Sequence, residues 1–142
     1  MKLTQLITIN AILAIAFGIA FGLYGPIMMA FFNVPETPGG TADLYWLVVS
    51  FSRMYGAALF GFGFLLWAIR GIVTQPTMSP DLLRGILFSL LLANGMGCFV
   101  ALVQQSAFWM SAAGWTTVGI YLLLLAGYIY FLVKQNPGAD AT

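Results

Sequence analysis

Histidine is absent from this sequence, cysteine occurs once, and only five basic and four acidic side chains are spread over 142 residues. Without histidine the chain lacks the usual axial haem ligand, the commonest metal ligand and the usual proton shuttle near neutral pH. The lone cysteine, Cys98, excludes an intramolecular disulfide and a Cys-x-x-Cys redox pair; inside its apolar run it reads as a small buried residue. The four acids, Glu36, Asp43, Asp81 and Asp140, fall in loops, at a helix start or in the tail. No carboxylate is therefore available at a membrane midplane, which disfavours a proton-coupled carrier of the usual kind. With neither histidine nor a buried lysine, no nucleophile with an adjacent base can be assembled, so no catalytic residue is assigned. Metal chemistry lacks a ligand cluster and no cofactor is expected. A net charge of +1 gives no electrostatic footprint for nucleic acid.

What is present is apolar surface. The chain is 61% hydrophobic and 6% charged, against about a quarter charged in soluble domains, which makes it an integral membrane protein whose first partner is the lipid bilayer. Spacing predicts one all-α unit, an antiparallel bundle of four transmembrane helices at about 5–24, 43–70, 80–104 and 107–134. Lys2 before an apolar run containing Ala14-Ile-Ala16 also has the outline of a secretory signal, but the run continues to Tyr24, which favours a retained span. Gly25-Pro26 ends the first helix, and Ile27 to Phe32 is too short to cross, so it is assigned to the interface between helices one and two. The Pro/Gly-rich stretch Asn33 to Thr41 forms a loop, with Thr41 or Asp43 as the cap of helix two. Ser79, Pro80 and Asp81 read as N-cap, first-turn proline and first-turn acid of helix three. Gln104-Gln-Ser106 leaves room only for a tight hairpin, making helices three and four antiparallel neighbours. The tail from Gln135 is polar and reads as frayed.

Small residues recur four apart: Ala14, Gly18 and Gly22 on helix one, Ala93, Gly97 and Ala101 on helix three. Gly56, Gly61 and Gly63 stud helix two, of which Gly56 and Gly61 are assigned to packing. Such stripes let helices pack closely, whether inside the bundle or against another subunit. Four crossings collect Lys2, Arg70, Arg84 and Lys134 on one side, and the loops opposite carry Glu36 and Asp43 but no lysine or arginine. By the positive-inside rule both termini are cytoplasmic. Aromatic residues fit this frame, with Trp67, Tyr128, Tyr130 and Phe131 toward the inner face and Tyr24, Tyr45, Trp46 and Trp109 toward the outer one.

Five residues are candidates for binding a ligand or partner. Arg53 stands inside an apolar helix, about 25 Å from Arg70 at 1.5 Å per residue, hence about one turn below the outer interface. From there it can snorkel to headgroups, hydrogen-bond Gln104, Gln105, Asp43 or Glu36, or hold an anion or partner. Asn94 lies near the midplane, where it serves either an interhelical hydrogen bond or a small polar cavity with Thr116 and Thr117, beside Trp115. Asn10 is read as an interhelical hydrogen bonder.

The run from Arg53 through Met54-Tyr-Gly-Ala-Ala-Leu-Phe-Gly-Phe-Gly-Phe-Leu-Leu-Trp-Ala-Ile69 to Arg70, with Gly25-Pro26 and Val34-Pro35 before it, resembles small, mostly uncharacterised bacterial four-helix membrane proteins of DoxX-like type. The likeness covers about half the chain, and Arg53 and Gly56 match positions typical of the set. It implies a compact bundle in the bacterial cytoplasmic (inner) membrane, with some relatives serving as subunits of quinone-linked oxidoreductases. The expected function is a non-catalytic multi-pass subunit or scaffold, associating with other membrane subunits or with itself. The alternative is a binder or permease for a small lipophile, a quinone or lipid, using Arg53 and the Asn94 region.

Overall fold

Five α-helices and one π-helical turn make up the computed structural model, which describes residues 2–36 and 42–134. They are α1 (Leu3–Leu23), α2 (Gly25–Phe31), α3 (Ala42–Ile72), α4 (Pro80–Gln104), the π turn (Gln105–Trp109) and α5 (Ala112–Lys134), with no strand among the described residues. Four stretches, α1, α3, α4 with the π turn, and α5, are long and apolar enough to cross a membrane.

Local chemistry explains the boundaries. The Lys2 amide donates to Gln5 Oε1 (2.7 Å), which starts α1 ahead of the expected residue 5. Pro26 has no amide hydrogen to continue the α1 ladder, so the chain bends at Tyr24 and restarts as the seven-residue α2. Ser79 caps α4, its Oγ accepting from the Leu82 amide (3.2 Å), with Pro80 in the first turn as expected. Asp43 lies inside the first turn of α3 rather than at its cap. Thr41, the other cap candidate, and the tail with Asp140 fall outside the described residues.

The last connection differs from expectation. The sequence spacing predicts helix four at 107–134 after a hairpin at Gln104 to Ser106. Instead α4 runs on through the π turn to Trp109, the chain reverses at Met110 (φ 43°) and Ser111, and α5 starts at Ala112. Ser111 Oγ accepts from the Gly114 amide (3.0 Å), supplying a cap that the apolar surroundings hide in the sequence.

Two close helix pairs, α1 with α3 and α4 with α5, are joined chiefly where α1 meets α5. Between α1 and α3 the backbones touch. A Cβ on Gly18 would lie 2.6 Å from the Phe60 amide nitrogen, one on Gly63 would lie 2.8 Å from the Ile15 nitrogen, and one on Gly56 would strike the backbone of Gly22. Along this seam residue numbers rise on α1 as they fall on α3. Gly97 likewise leaves room for the Tyr121 ring.

Ala14, Gly18, Gly22, Gly56, Gly97 and Ala101 are thus engaged within the chain, while two other residues assigned to packing are not. Gly61 is exposed with nothing near its Cβ position, and Gly63 takes its place; Ala93 is exposed too. The reason is helical phase: Gly61 stands five residues and about 140° around the helix from Gly56, Gly63 seven residues and only about 20°, while two four-residue steps carry Ala93 about 80° away from Ala101. The buried line on α4 runs Leu87, Leu90, Asn94, Cys98 and Ala101 instead, in steps of three, four, four and three.

Two apolar clusters close the ends. Leu6, Ile7, Leu66, Leu87, Leu124 and Tyr128 gather residues of all four long helices at one end. Phe21, Met29, Phe32, Tyr45 and Val49, packed against Trp109, form the other. Three aromatics expected in interfacial belts are therefore packing residues: Tyr128 is fully buried, Tyr45 is buried, and Trp109 packs on Phe32 with centroids 4.4 Å apart and the rings tilted by 48°.

Candidate functional site

Arg53 follows Ser52, which is buried, and precedes Gly56, which is pressed on α1, so its own position on α3 turns outward and the side chain is exposed. Its Cγ passes 3.5 Å from where a Cβ on Gly25 would stand, so the aliphatic stem leans on the α1–α2 elbow. Of its expected partners, Gln105 is buried and donates through Nε2 to the Ser111 carbonyl (3.2 Å), while Glu36 and Asp43 are exposed. The guanidinium is not drawn into the bundle.

Asn94 is buried, yet its amide Nδ2 donates to the Leu90 carbonyl of its own helix (2.8 Å) instead of crossing to a neighbour. Thr116 and Thr117 do the same, donating to the Ala112 and Ala113 carbonyls (2.9 Å each), and Trp115 is exposed. Gly95 lies level with Leu125 and Gly97 with Tyr121, which leaves the threonines farther toward the Met110 reversal than Asn94. The proposed cavity of Asn94, Thr116 and Thr117 is therefore not assembled. Short polar side chains in an apolar helix find the i−4 carbonyl first, and that local bond removes the need for a shared pocket.

The interhelical bond exists elsewhere. Asn10 Nδ2 on α1 donates to the Tyr128 hydroxyl on α5 (2.8 Å), both groups being buried. Asn10 stands out in the sequence as a polar group in an apolar run, whereas Tyr128, expected in an aromatic belt, is marked as its partner only by its burial in the structure. A second bridge, between α3 and α5, is the longer contact of the Tyr55 and Tyr121 hydroxyls (3.4 Å). At the opposite end from Tyr128, Asn33 (φ 57°) donates through Nδ2 to the Trp109 carbonyl (3.0 Å), tying the end of α2 to the reversal. There Gln105 Oε1 is buried without a hydrogen-bond partner and rests against the bare backbone of Gly114.

Two surface concavities stand out. One, about 500 Å³, flanks the first turns of α1 and is lined by Thr4, Gln5, Thr8 and Ile9; there Thr8 donates to the Thr4 carbonyl and Gln5 Oε1 accepts from the Lys2 amide. The other, about 540 Å³, is a groove between the start of α4 and the end of α5, with Asp81 and Arg84 at its mouth and Phe88, Leu91, Ile129 and Leu132 along its walls. Among the described residues no group of three His, Cys, Asp or Glu side chains could hold a metal ion. No protein-family model, curated protein or solved structure matches the chain. The likeness to DoxX-like proteins therefore rests on the residues quoted for it above. Chemically, the described side chains offer hydrogen bonds within the bundle, one outward guanidinium at Arg53 and a charged groove at the Arg84 end.

Proposed function

We propose that this chain is a four-span antiparallel bundle of the bacterial inner membrane, with both termini cytoplasmic, serving as a non-catalytic subunit or scaffold of a larger membrane assembly. The observation that carries this reading is how the polar groups of the spans are spent. Asn10 is used on Tyr128, Asn94, Thr116 and Thr117 on their own helices, and Gln105 on the Ser111 carbonyl. At the same time only 17% of the apolar window of α3, and of α5, is buried inside the chain. A protein whose span amides and hydroxyls bond mostly within the chain, Arg53 and the unpartnered Gln105 Oε1 excepted, and whose apolar surface faces outward has surface to offer lipid or other helices.

Orientation is supported by the basic end. The Arg70 guanidinium lies 3.5 Å from the Trp67 ring centroid, and Lys134 Nζ 6.0 Å from that of Tyr130, pairs suited to a headgroup region rich in aromatic anchors. At 1.5 Å per residue α3 is about 46 Å long against a hydrocarbon core of about 30 Å, so it tilts or projects past the slab. A permease built on Arg53 and Asn94 is less well supported, because the first turns outward and the second is closed on its own helix. Extraction in a gentle detergent, with size measurement and identification of co-purifying chains, tests the proposal. Stable co-migration with a larger complex is expected, and oxidoreductase chains within it would add the quinone-linked role implied by the resemblance. A lone monomer carrying stoichiometric quinone would overturn it.

A further inference from the structure

The groove between α4 and α5 has charged side chains, Asp81 and Arg84, toward the start of α4 and apolar ones farther along it. Asp81 and Arg84 are three residues apart on α4 and so share a face at its mouth. Below them Phe88 and Leu91 continue the same wall for about 10 Å, opposite Ile129 and Leu132 of α5. Ser79, and not Asp81, supplies the helix cap, so the Asp81 carboxylate is not required by its own helix for that bond. Gly85, between mouth and wall, has open space where a Cβ would be, which widens the groove at its neck.

We propose that this groove is a binding site for one phosphatidylethanolamine molecule of the leaflet that the basic end of the bundle faces. The Arg84 guanidinium takes the phosphate, the Asp81 carboxylate takes the primary ammonium, and one acyl chain lies along the Phe88, Leu91, Ile129 and Leu132 walls. Charge complementarity selects this occupant. A wholly anionic headgroup gains from Arg84 but is repelled by Asp81, and the trimethylammonium of phosphatidylcholine has no N–H to donate to a carboxylate.

The inference rests on the membrane reading above, and its test separates the two. Protein reconstituted into nanodiscs of phosphatidylcholine doped with phosphatidylethanolamine or phosphatidylglycerol is released and its retained lipid identified by native mass spectrometry. Phosphatidylethanolamine is expected to be retained about tenfold over phosphatidylcholine, the worth of one charge-assisted hydrogen bond. D81N should abolish that preference while retention of both lipids persists. R84Q should weaken both, and G85F, which fills the neck without touching the core, should displace both with the thermal midpoint preserved. Equal retention of the two lipids by the unsubstituted protein, preference for phosphatidylglycerol, or indifference to G85F would each overturn the site. A chain that does not enter nanodiscs at all fails the membrane reading itself.

Discussion

Inside an apolar bundle a side-chain amide needs a partner, and the two asparagines in the spans find theirs differently. Asn10 reaches across to Tyr128, whereas Asn94 folds back on the Leu90 carbonyl. Only the first bond couples two helices, so only the first should register in a double-mutant cycle. Tyr128→Phe is expected to cost about 1 kcal/mol, measured by denaturant titration in detergent, and to couple with Asn10→Ala. The cycle of Asn94→Ala with Thr117→Ala should be additive, because the two side chains bond to separate backbones. Arg53→Leu removes an exposed charge whose stem rests on the elbow at Gly25. It should insert normally and change stability by no more than about 0.5 kcal/mol; failure to accumulate in the membrane would show instead that Arg53 anchors the helix. Asn10, Asn94 and Arg53 could all be picked out from residue type alone, because polar groups are conspicuous in apolar runs. Their partners could not, since local i−4 bonds and cross-helix bonds call for the same residue types.

Packing of α1 on α3 depends on backbone contact at Gly18, Gly56 and Gly63, and glycine serves there because any Cβ would meet main-chain atoms that cannot yield. Gly56→Ala is therefore expected to destabilise by about 1–3 kcal/mol, the usual cost of overpacking. Gly61→Ala, where nothing lies within reach, should be neutral or more stable by up to about 1 kcal/mol through helix propensity. Thermal midpoints of the two variants in one detergent decide the matter. The reversal into α5 depends on a single left-handed residue, Met110, whose side chain is 74% exposed and contributes little packing. Met110→Gly should stabilise by about 1 kcal/mol by relieving that conformation, again seen as a raised midpoint.

The proposed topology makes a prediction for the whole molecule. In a Cys98→Ala background, a cysteine at Ser106 should react with an impermeant thiol reagent in intact cells, and one at Gln75 only after the membrane is opened. Labelling of both from the same side would be incompatible with four crossings. Several features followed from sequence alone: the four apolar stretches, the break at Gly25-Pro26 and the Ser79-Pro80 start of α4. Hydropathy, proline's missing amide hydrogen and a capping hydroxyl act within a few residues, so no tertiary information is needed to read them. Only the tertiary structure decided that Gly63 and not Gly61 meets α1, that Tyr128 is core and not belt, and that the chain turns at Met110. When every face of a helix is apolar, hydropathy no longer distinguishes the packed face from the outward one, and the choice falls to shape and helical phase across the partner helix.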